Sequence, residues 1–276
     1  MKKVLITGCS GYIGSHLCKE LENDYDIWGL DIRPSLYPIK EGQFIQHDIN
    51  HPFGEFPEEF DAVVHLAARV RVNESRQMPI NYYITNLNGT TNVLEKIKTK
   101  NFIFSSTGVA EYCYDPYGIS KKAAEDCVIE YCTERSIKPF TIFRFYNVIG
   151  SSGFAPTNPD SLMHNLLQAP ERGDFTIFGN DYDTPDGTCL RDYIHVDEIC
   201  EGIKLAIEEP ADKIEQLGHG VGRSVKEMVE LFKQVNNVDF QVNYSERRSG
   251  DLPKTVLKEK SRYMKELYTL EELLKV

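Results

Sequence analysis

Val4-Leu5-Ile6-Thr7-Gly8-Cys9-Ser10-Gly11-Tyr12-Ile13-Gly14 is the stretch on which the fold turns. The aliphatic run predicts a strand, and glycines at every third position let the chain turn sharply into a helix expected over residues 12–22. With no Cβ at Gly8, Gly11 or Gly14, the backbone can approach a pyrophosphate and the helix can pack against its strand, its N-terminus facing the phosphates. The spacing is GxxGxxG and not GxGxxG, so position carries the reading. A strand precedes it, a helix follows, and Asp31 ends a second apolar run at 27–30, where a carboxylate can accept from adenosine ribose hydroxyls. This points to a dinucleotide, and to NAD over NADP because a carboxylate repels a 2′-phosphate. Arg33 softens that preference without reversing it.

Outward from this turn, β-rich runs at 62–67, 102–104 and 140–145 alternate with helical patterns at 79–98 and 117–135. The 79–98 segment opens on a proline and carries Ile80, Tyr83, Ile84, Leu87, Val93, Leu94 and Ile97 as a stripe. Such alternation predicts an α/β fold: a Rossmann-type doubly wound parallel sheet with a smaller C-terminal substrate-binding cap. After Gly150 the regularity breaks, and the runs at 175–178, 196–207, 224–235 and 240–243 keep no strict order. The expected organisation is a dinucleotide-binding domain over 1–150 and a mainly substrate-binding domain over 151–276, with the chain free to cross back.

The 276 residues are 41% hydrophobic and 26% charged, which excludes a disordered or fibrous chain. Lys and Arg total 31 against 42 Asp and Glu, a charge of −11 that disfavours nucleic acid and anionic membranes but leaves small anions open. The seven cysteines show no CxxC pair and no zinc spacing, so no metal is expected and a reducing cytoplasm fits. No run approaches the roughly 20 apolar residues of a membrane span, and the apolar run after Lys3 is too short for a secretory leader.

Tyr117-Gly118-Ile119-Ser120-Lys121 places a phenol and an ammonium four residues apart, on one helix face. A nearby lysine favours the phenolate, lowering its pKa towards a usable base. Tyr112, Tyr114 and Tyr131 lack a lysine at that distance.

Taken together, the glycine turn, Asp31, Asp48-Ile49, His65-Leu66-Ala67-Ala68, Asn86 in its Asn-Leu-Asn-Gly-Thr run, Ser105-Ser106-Thr107, Tyr117 to Lys121, and Arg144-Phe145-Tyr146-Asn147 resemble the extended short-chain dehydrogenase/reductase family. Within it, the stretch 177–196 and Arg247-Arg248-Ser249-Gly250-Asp251-Leu252-Pro253 resemble the UDP-glucose 4-epimerases (UDP-galactose 4-epimerases), including those acting on UDP-N-acetylglucosamine. The similarity spans nearly the whole chain.

The resemblance implies that Gly8, Gly11, Tyr12, Ile13 and Gly14 cradle NAD, with Asp31, Asp48, Ile49, Leu66, Ala67, Ala68, Asn86, Tyr117 and Lys121 completing the cofactor site. Tyr117, Lys121 and Thr107 would be catalytic. Thr107, Asn147, Ser161, Leu162, Thr176, Phe178, Arg191, Arg248, Asp251 and Thr255 would hold a UDP-sugar. The implied activity is epimerisation at C4 of a UDP-hexose through a transient 4-keto sugar, in a cytoplasmic homodimer paired through 79–98 and 117–135.

Two departures matter. Thr107 and Tyr117 are ten positions apart, closer than in the epimerases, so part of the sugar wall is shortened. Thr255 stands where some members carry tyrosine beside the sugar C2 substituent, leaving room for N-acetylhexosamines. A nucleotide-sugar dehydratase or reductase of the same family is one alternative. Gly108 and Val109, standing where a dehydratase has its acid pair, count against dehydration, while Glu111 keeps it open. An inactive NAD-binding regulator is the other alternative, and Tyr117 with Lys121 count against it. His65 is expected to pack at its strand end, His195 to open a cap helix, Trp28 to pack, and 258–276 to present a solvated helix face.

Overall fold

Strand ends decide where a cleft can open in a parallel sheet, so the order of the strands comes first. The computed structural model describes residues 1–276 except 53, 55, 57, 58, 135–138 and 152. The chain runs β1 (Lys2–Thr7), α1 (Tyr12–Leu21), β2 (Tyr25–Asp31), β3 (Phe44–Gln46), β4 (Ala62–His65), α2 (Val72–Gln77), α3 (Pro79–Tyr83) and α4 (Gly89–Lys96). Next come β5 (Phe102–Thr107), α5 (Pro116–Glu134), β6 (Phe140–Phe145), β7 (Asn147–Ile149), α6 (Leu162–Arg172), β8 (Asp174–Phe178) and β9 (Leu190–His195). The last are α7 (Val196–Glu208), β10 (Lys213–Leu217), β11 (Gly222–Ser224), α8 (Val225–Asn236), β12 (Gln241–Ser245), β13 (Lys254–Thr255) and α9 (Leu270–Leu274).

Among the described residues, seven strands form one sheet in the order β10-β6-β5-β4-β1-β2-β3, every pair parallel. The order reverses between β1 and β4, the switch point over whose carboxyl ends α/β sheets bind ligands. One face of the sheet packs Val4, Ile6, Val64 and Phe143 against Leu17 and Leu21 of α1 and Ile199, Ile203 and Ala206 of α7. The other packs Leu5, Val63, Phe104 and Ile142 against Val93 and Leu94 of α4 and Ala124 and Val128 of α5. Coverage on both faces is why these strands read as unbroken apolar runs. A separate core of Met163, Leu166, Phe175, Ile177, Tyr193, Met228 and Phe232 holds the region after Gly150.

Several expectations are corrected. His195 does open a helix, with a capping box to Glu198, but α7 covers the sheet and not the cap, because its apolar stripe complements α1. After α7 the chain returns as β10 to pair with β6. The 79–98 helix is interrupted by a π turn at Ile84–Asn88 that carries Asn86 into the interior. The 258–276 stretch is not one solvated helix: only Leu270–Leu274 is helical, and Leu273 and Leu274 are buried in the cap core. Helix α5 ends at Glu134, and Arg135 lies outside the described residues. Trp28 packs edge-on against Phe60 at 5.8 Å between ring centroids.

Candidate active site

A cleft of about 1190 Å³ runs across the carboxyl ends of the strands. Following the strand order, its wall passes from Asp31 and Asp48 to Gly8, Gly11, Tyr12, Ile13 and Gly14, and then to Leu66, Ala67 and Ala68. It continues to Thr107, Tyr117 and Lys121 and reaches Asn147, Ser161, Leu162, Thr176, Phe178, Arg191, Arg248, Asp251 and Thr255 on the cap. Ile49 also lines it. Of the residues expected to touch cofactor, sugar or the reacting atoms, Asn86 alone is not on this wall. It is fully buried behind it, where its Oδ1 accepts from Arg69 N (2.8 Å) and its Nδ2 donates to Arg69 O and Ser120 Oγ (both 3.0 Å).

At the glycine turn, a Cβ on Gly14 would lie 2.2 Å from Gly8 O, and Gly8 has φ +75° with Ala67 N 2.7 Å from where its Cβ would stand. Only glycine allows α1, β1 and the segment after β4 to meet there. Asp31 is buried and fixes the loop, its Oδ2 accepting from Ser10 N and its Oδ1 from Arg33 N, each at 3.0 Å. His65 lies beneath. Because the Thr90 hydroxyl donates to Asn86 O, Thr90 Oγ1 accepts from His65 Nε2 (3.0 Å), which leaves His65 Nδ1 to accept from Thr7 Oγ1 (2.6 Å). Burial pushes this imidazole down to about 3, so it stays neutral and ties β1, β4 and α4 together.

Tyr117 and Lys121 lie in the first turns of α5, opened by the Asp115-Pro116 pair: Asp115 Oδ1 accepts from Gly118 N at 2.8 Å. Thr107 ends β5 and lines the same wall as Tyr117. The expectation that Lys121 lowers the Tyr117 pKa is corrected. Burial pushes the phenol up to about 12, with Asp115 adding to the rise and Thr107 opposing it. Burial also pushes the Lys121 ammonium down to about 7, against the pull of Glu125. The physical reason is shared, since each charged form is desolvated. Lys121 Nζ sits 4.2 Å from the centre of the Phe104 ring.

On the cap side, Arg191 donates through Nη1 to Leu252 O (2.7 Å) and Leu190 O (3.0 Å), and its Nη2 stands 3.8 Å from Asp251. The Arg248 guanidinium lies 4.0 Å over the Phe178 ring and donates to Asp160 O at 3.3 Å. Asn147 Nδ2 donates to Asp192 O, and Ser161 caps α6. Thr255 is buried in register with Arg191.

Sequence reasoning passed over Tyr112, Tyr114, Asp115, Asn158 and Asp160, all on the wall. For Asp115 the signal was present: an aspartate directly before a proline marks a helix start. In the short 107–117 loop, Gly108–Glu111 forms a 3₁₀ turn and the rings of Tyr112 and Tyr114 stack 6.2 Å apart, so aromatic side chains build the wall there. Glu111 is exposed, paired with Lys258 at 3.8 Å, and off the cleft wall.

Fold and cleft define a dinucleotide-binding α/β protein with a tyrosine–lysine–threonine site. The chain belongs to the NAD dependent epimerase/dehydratase family, whose model matches residues 4–218. It is 32% identical to the UDP-glucose 4-epimerase of Haemophilus influenzae over 296 residues, covering 90% of this chain and 87% of that protein. Among solved structures, it resembles the UDP-Glc/GlcNAc 4-epimerase of Campylobacter jejuni, with TM-score 0.77, 30% identity, and 100% and 97% of the two chains covered. It also resembles the UDP-glucose 4-epimerase of Bifidobacterium longum in complex with NAD+ and UDP, with TM-score 0.83, 25% identity, and 99% and 96% covered.

Proposed function

We propose that this protein epimerises UDP-sugars at C4 with a resident NAD. The observation that carries the reading is one continuous cleft joining the glycine turn, the Thr107–Tyr117–Lys121 site and two arginines. The residues fit the cofactor: the Gly8 and Gly14 turn leaves no room for a Cβ, the N-terminus of α1 faces the cleft, and Asp31 lines the cleft at the end of β2, where its carboxylate can accept from a ribose. When bound, NAD accepts a hydride from C4 and returns it.

The side chains of the chain supply the rest. Tyr117 Oη takes the proton of the 4-hydroxyl and gives it back, and Thr107 orients that oxygen by a hydrogen bond. Lys121, four residues along the same wall, would hold the nicotinamide ribose through its ammonium, and Thr107 is the group that opposes the rise of the Tyr117 pKa. Arg191 and Arg248 can grip a diphosphate by forked hydrogen bonds, which lets the hexose turn while its nucleotide stays fixed. A sugar free to present either face to the hydride is what inversion at C4 requires, so tight hold on UDP and a roomy sugar pocket belong together.

Glu111, the acid nearest Thr107 on the following loop, faces solvent, which favours epimerisation over elimination of water. With Thr255 beside Arg191 in place of a bulky ring, the sugar range includes UDP-N-acetylhexosamines. The partner is a second copy through α3 and α5, where Ile80 and Ile119 are exposed; sedimentation as a monomer would end that reading. Among the described residues no helix is long and apolar enough to cross a membrane. The test is incubation with UDP-Glc, UDP-Gal, UDP-GlcNAc and UDP-GalNAc separately, without added NAD, with products identified by NMR. Interconversion of each 4-epimer pair is expected; recovery of all four unchanged would refute the activity.

A further inference from the structure

Behind the catalytic helix lies a second charged group that the reaction above does not use. Glu125 sits one turn past Lys121 on α5 and is fully buried. Its Oε1 accepts from Ser106 Oγ at 2.6 Å and from Arg144 Nε at 2.8 Å, and its Oε2 accepts from Arg144 Nη2 at 2.7 Å. Arg144 is itself about nine-tenths buried. A two-pronged ion pair withdrawn from water is costly to build and does little for net stability, which asks for another reason for its presence.

The neighbours of the three residues supply that reason. Ser106 immediately precedes Thr107 on β5 and stands in register with Arg144 on β6, and β6 leads within three residues to Asn147. Each partner of Glu125 is therefore a chain neighbour of a cleft residue. The carboxylate ties three elements together directly behind Thr107, Lys121 and Asn147. The charged and titratable groups that bear on Lys121 are Tyr117 and Glu125, one turn to either side on its own helix, and His65 on β4; Asp115 acts on Tyr117, and Arg144 on β6 stands behind Glu125. His65 is neutral, and Arg144 is engaged by Glu125. Glu125 is the group whose charge favours the ammonium of Lys121 against burial.

We propose that Glu125 is a positioning residue of the site: clamped by Arg144 and Ser106, it fixes the Tyr117–Lys121 helix against the strands carrying Thr107 and Asn147 and sets a negative charge behind Lys121. This rests on the reading of Tyr117 and Lys121 as the reacting pair, and it adds a carboxylate that touches neither sugar nor cofactor.

The test uses the full chain with lysines labelled at Nζ with nitrogen-15, the Lys121 resonance assigned by its loss in Lys121→Arg. In Glu125→Gln the Lys121 titration midpoint should fall by about one pH unit, the scale of effect of a neighbouring opposite charge. In the same variant kcat for UDP-Glc at pH 8 should fall by about tenfold with KM little changed, and the alkaline limb of the kcat profile should move to lower pH. If Glu125→Gln does not fold, Glu125→Gln/Arg144→Gln removes both charges and leaves the shape, and a smaller shift in the same downward direction is expected, because Glu125 is the nearer of the two to Lys121. A midpoint equal to the wild type in whichever variant folds overturns the proposal, as does a double variant with wild-type kcat and pH profile. Should the wild type convert no UDP-sugar, the proposed activity fails, while the Lys121 midpoint still judges the role of Glu125.

Discussion

On the side of Gly8 and Asp31 the cleft wall is the end of a buried sheet; on the side of Arg191 and Arg248 it is loop and charged side chain resting on carbonyl oxygens. Val4, Leu5 and Ile6 are wholly inaccessible to solvent, and the turn after them closes to distances only glycine permits. Across the cleft, Arg248 rests on Phe178 and a single backbone oxygen, and Arg191 on two carbonyls and Asp251. The difference suits the two tasks. A group used and restored at every turnover is best held by a surface that cannot yield, whereas a substrate that enters and leaves needs donors that can exchange one oxygen for another.

The widest break of this contrast falls between the walls, at the chemistry. Tyr117→Phe should lower kcat by about 10³-fold, within the range for losing a general acid–base group, while bound NAD still copurifies; loss of NAD from this variant would make Tyr117 a cofactor anchor first. Next, Gly14→Ala forces a Cβ onto Gly8 O, and overpacking of about 2 kcal/mol should strip the cofactor and lower the melting temperature. UDP binding measured by calorimetry should survive, and its disappearance would show that the walls do not act separately. Arg248→Lys keeps a charge but loses the fork, so KM should rise about tenfold with kcat nearly unchanged; an equal fall in kcat would place Arg248 in the transition state.

The smallest effect concerns pH. Burial holds the Lys121 ammonium down at about 7 in the folded chain, against an ordinary 10.5. Between these values the unfolded chain binds more protons, so this group adds stability as pH rises through the window and withdraws it as pH falls towards 7. Lys121→Met should therefore raise the melting temperature by a few degrees at pH 6, with the gain shrinking towards pH 10. A gain independent of pH would mean that packing, and not charge, is responsible.

Legibility in the sequence followed the same division. The glycine turn, Asp31 and the Tyr117–Lys121 spacing are local patterns, and strand, turn and helix formed where they predicted. β10 escaped notice because Lys213-Ile214-Glu215-Gln216-Leu217 alternates with charge at the sheet edge, as edge strands do. Asn86 and the π turn are settled by contacts with Arg69 and Ser120 far along the chain, which no window of sequence displays. The direction of the Tyr117 shift was misjudged for the same reason, since burial is a property of the packed whole. The cap, bound by β9 to β7, β11 and β13, is a set of long-range pairings with little local signature.

The return of the chain to the sheet at Lys213–Leu217 has a consequence for how the protein is born. Its pairing with β6 cannot form until β7, α6, β8, β9 and α7 have left the ribosome. The dinucleotide-binding sheet therefore waits, its β6 edge unpaired, while much of the rest is synthesised. Closing so long a loop makes this the step of highest contact order in the sheet, and the natural place for chaperone dependence and for slow refolding to appear.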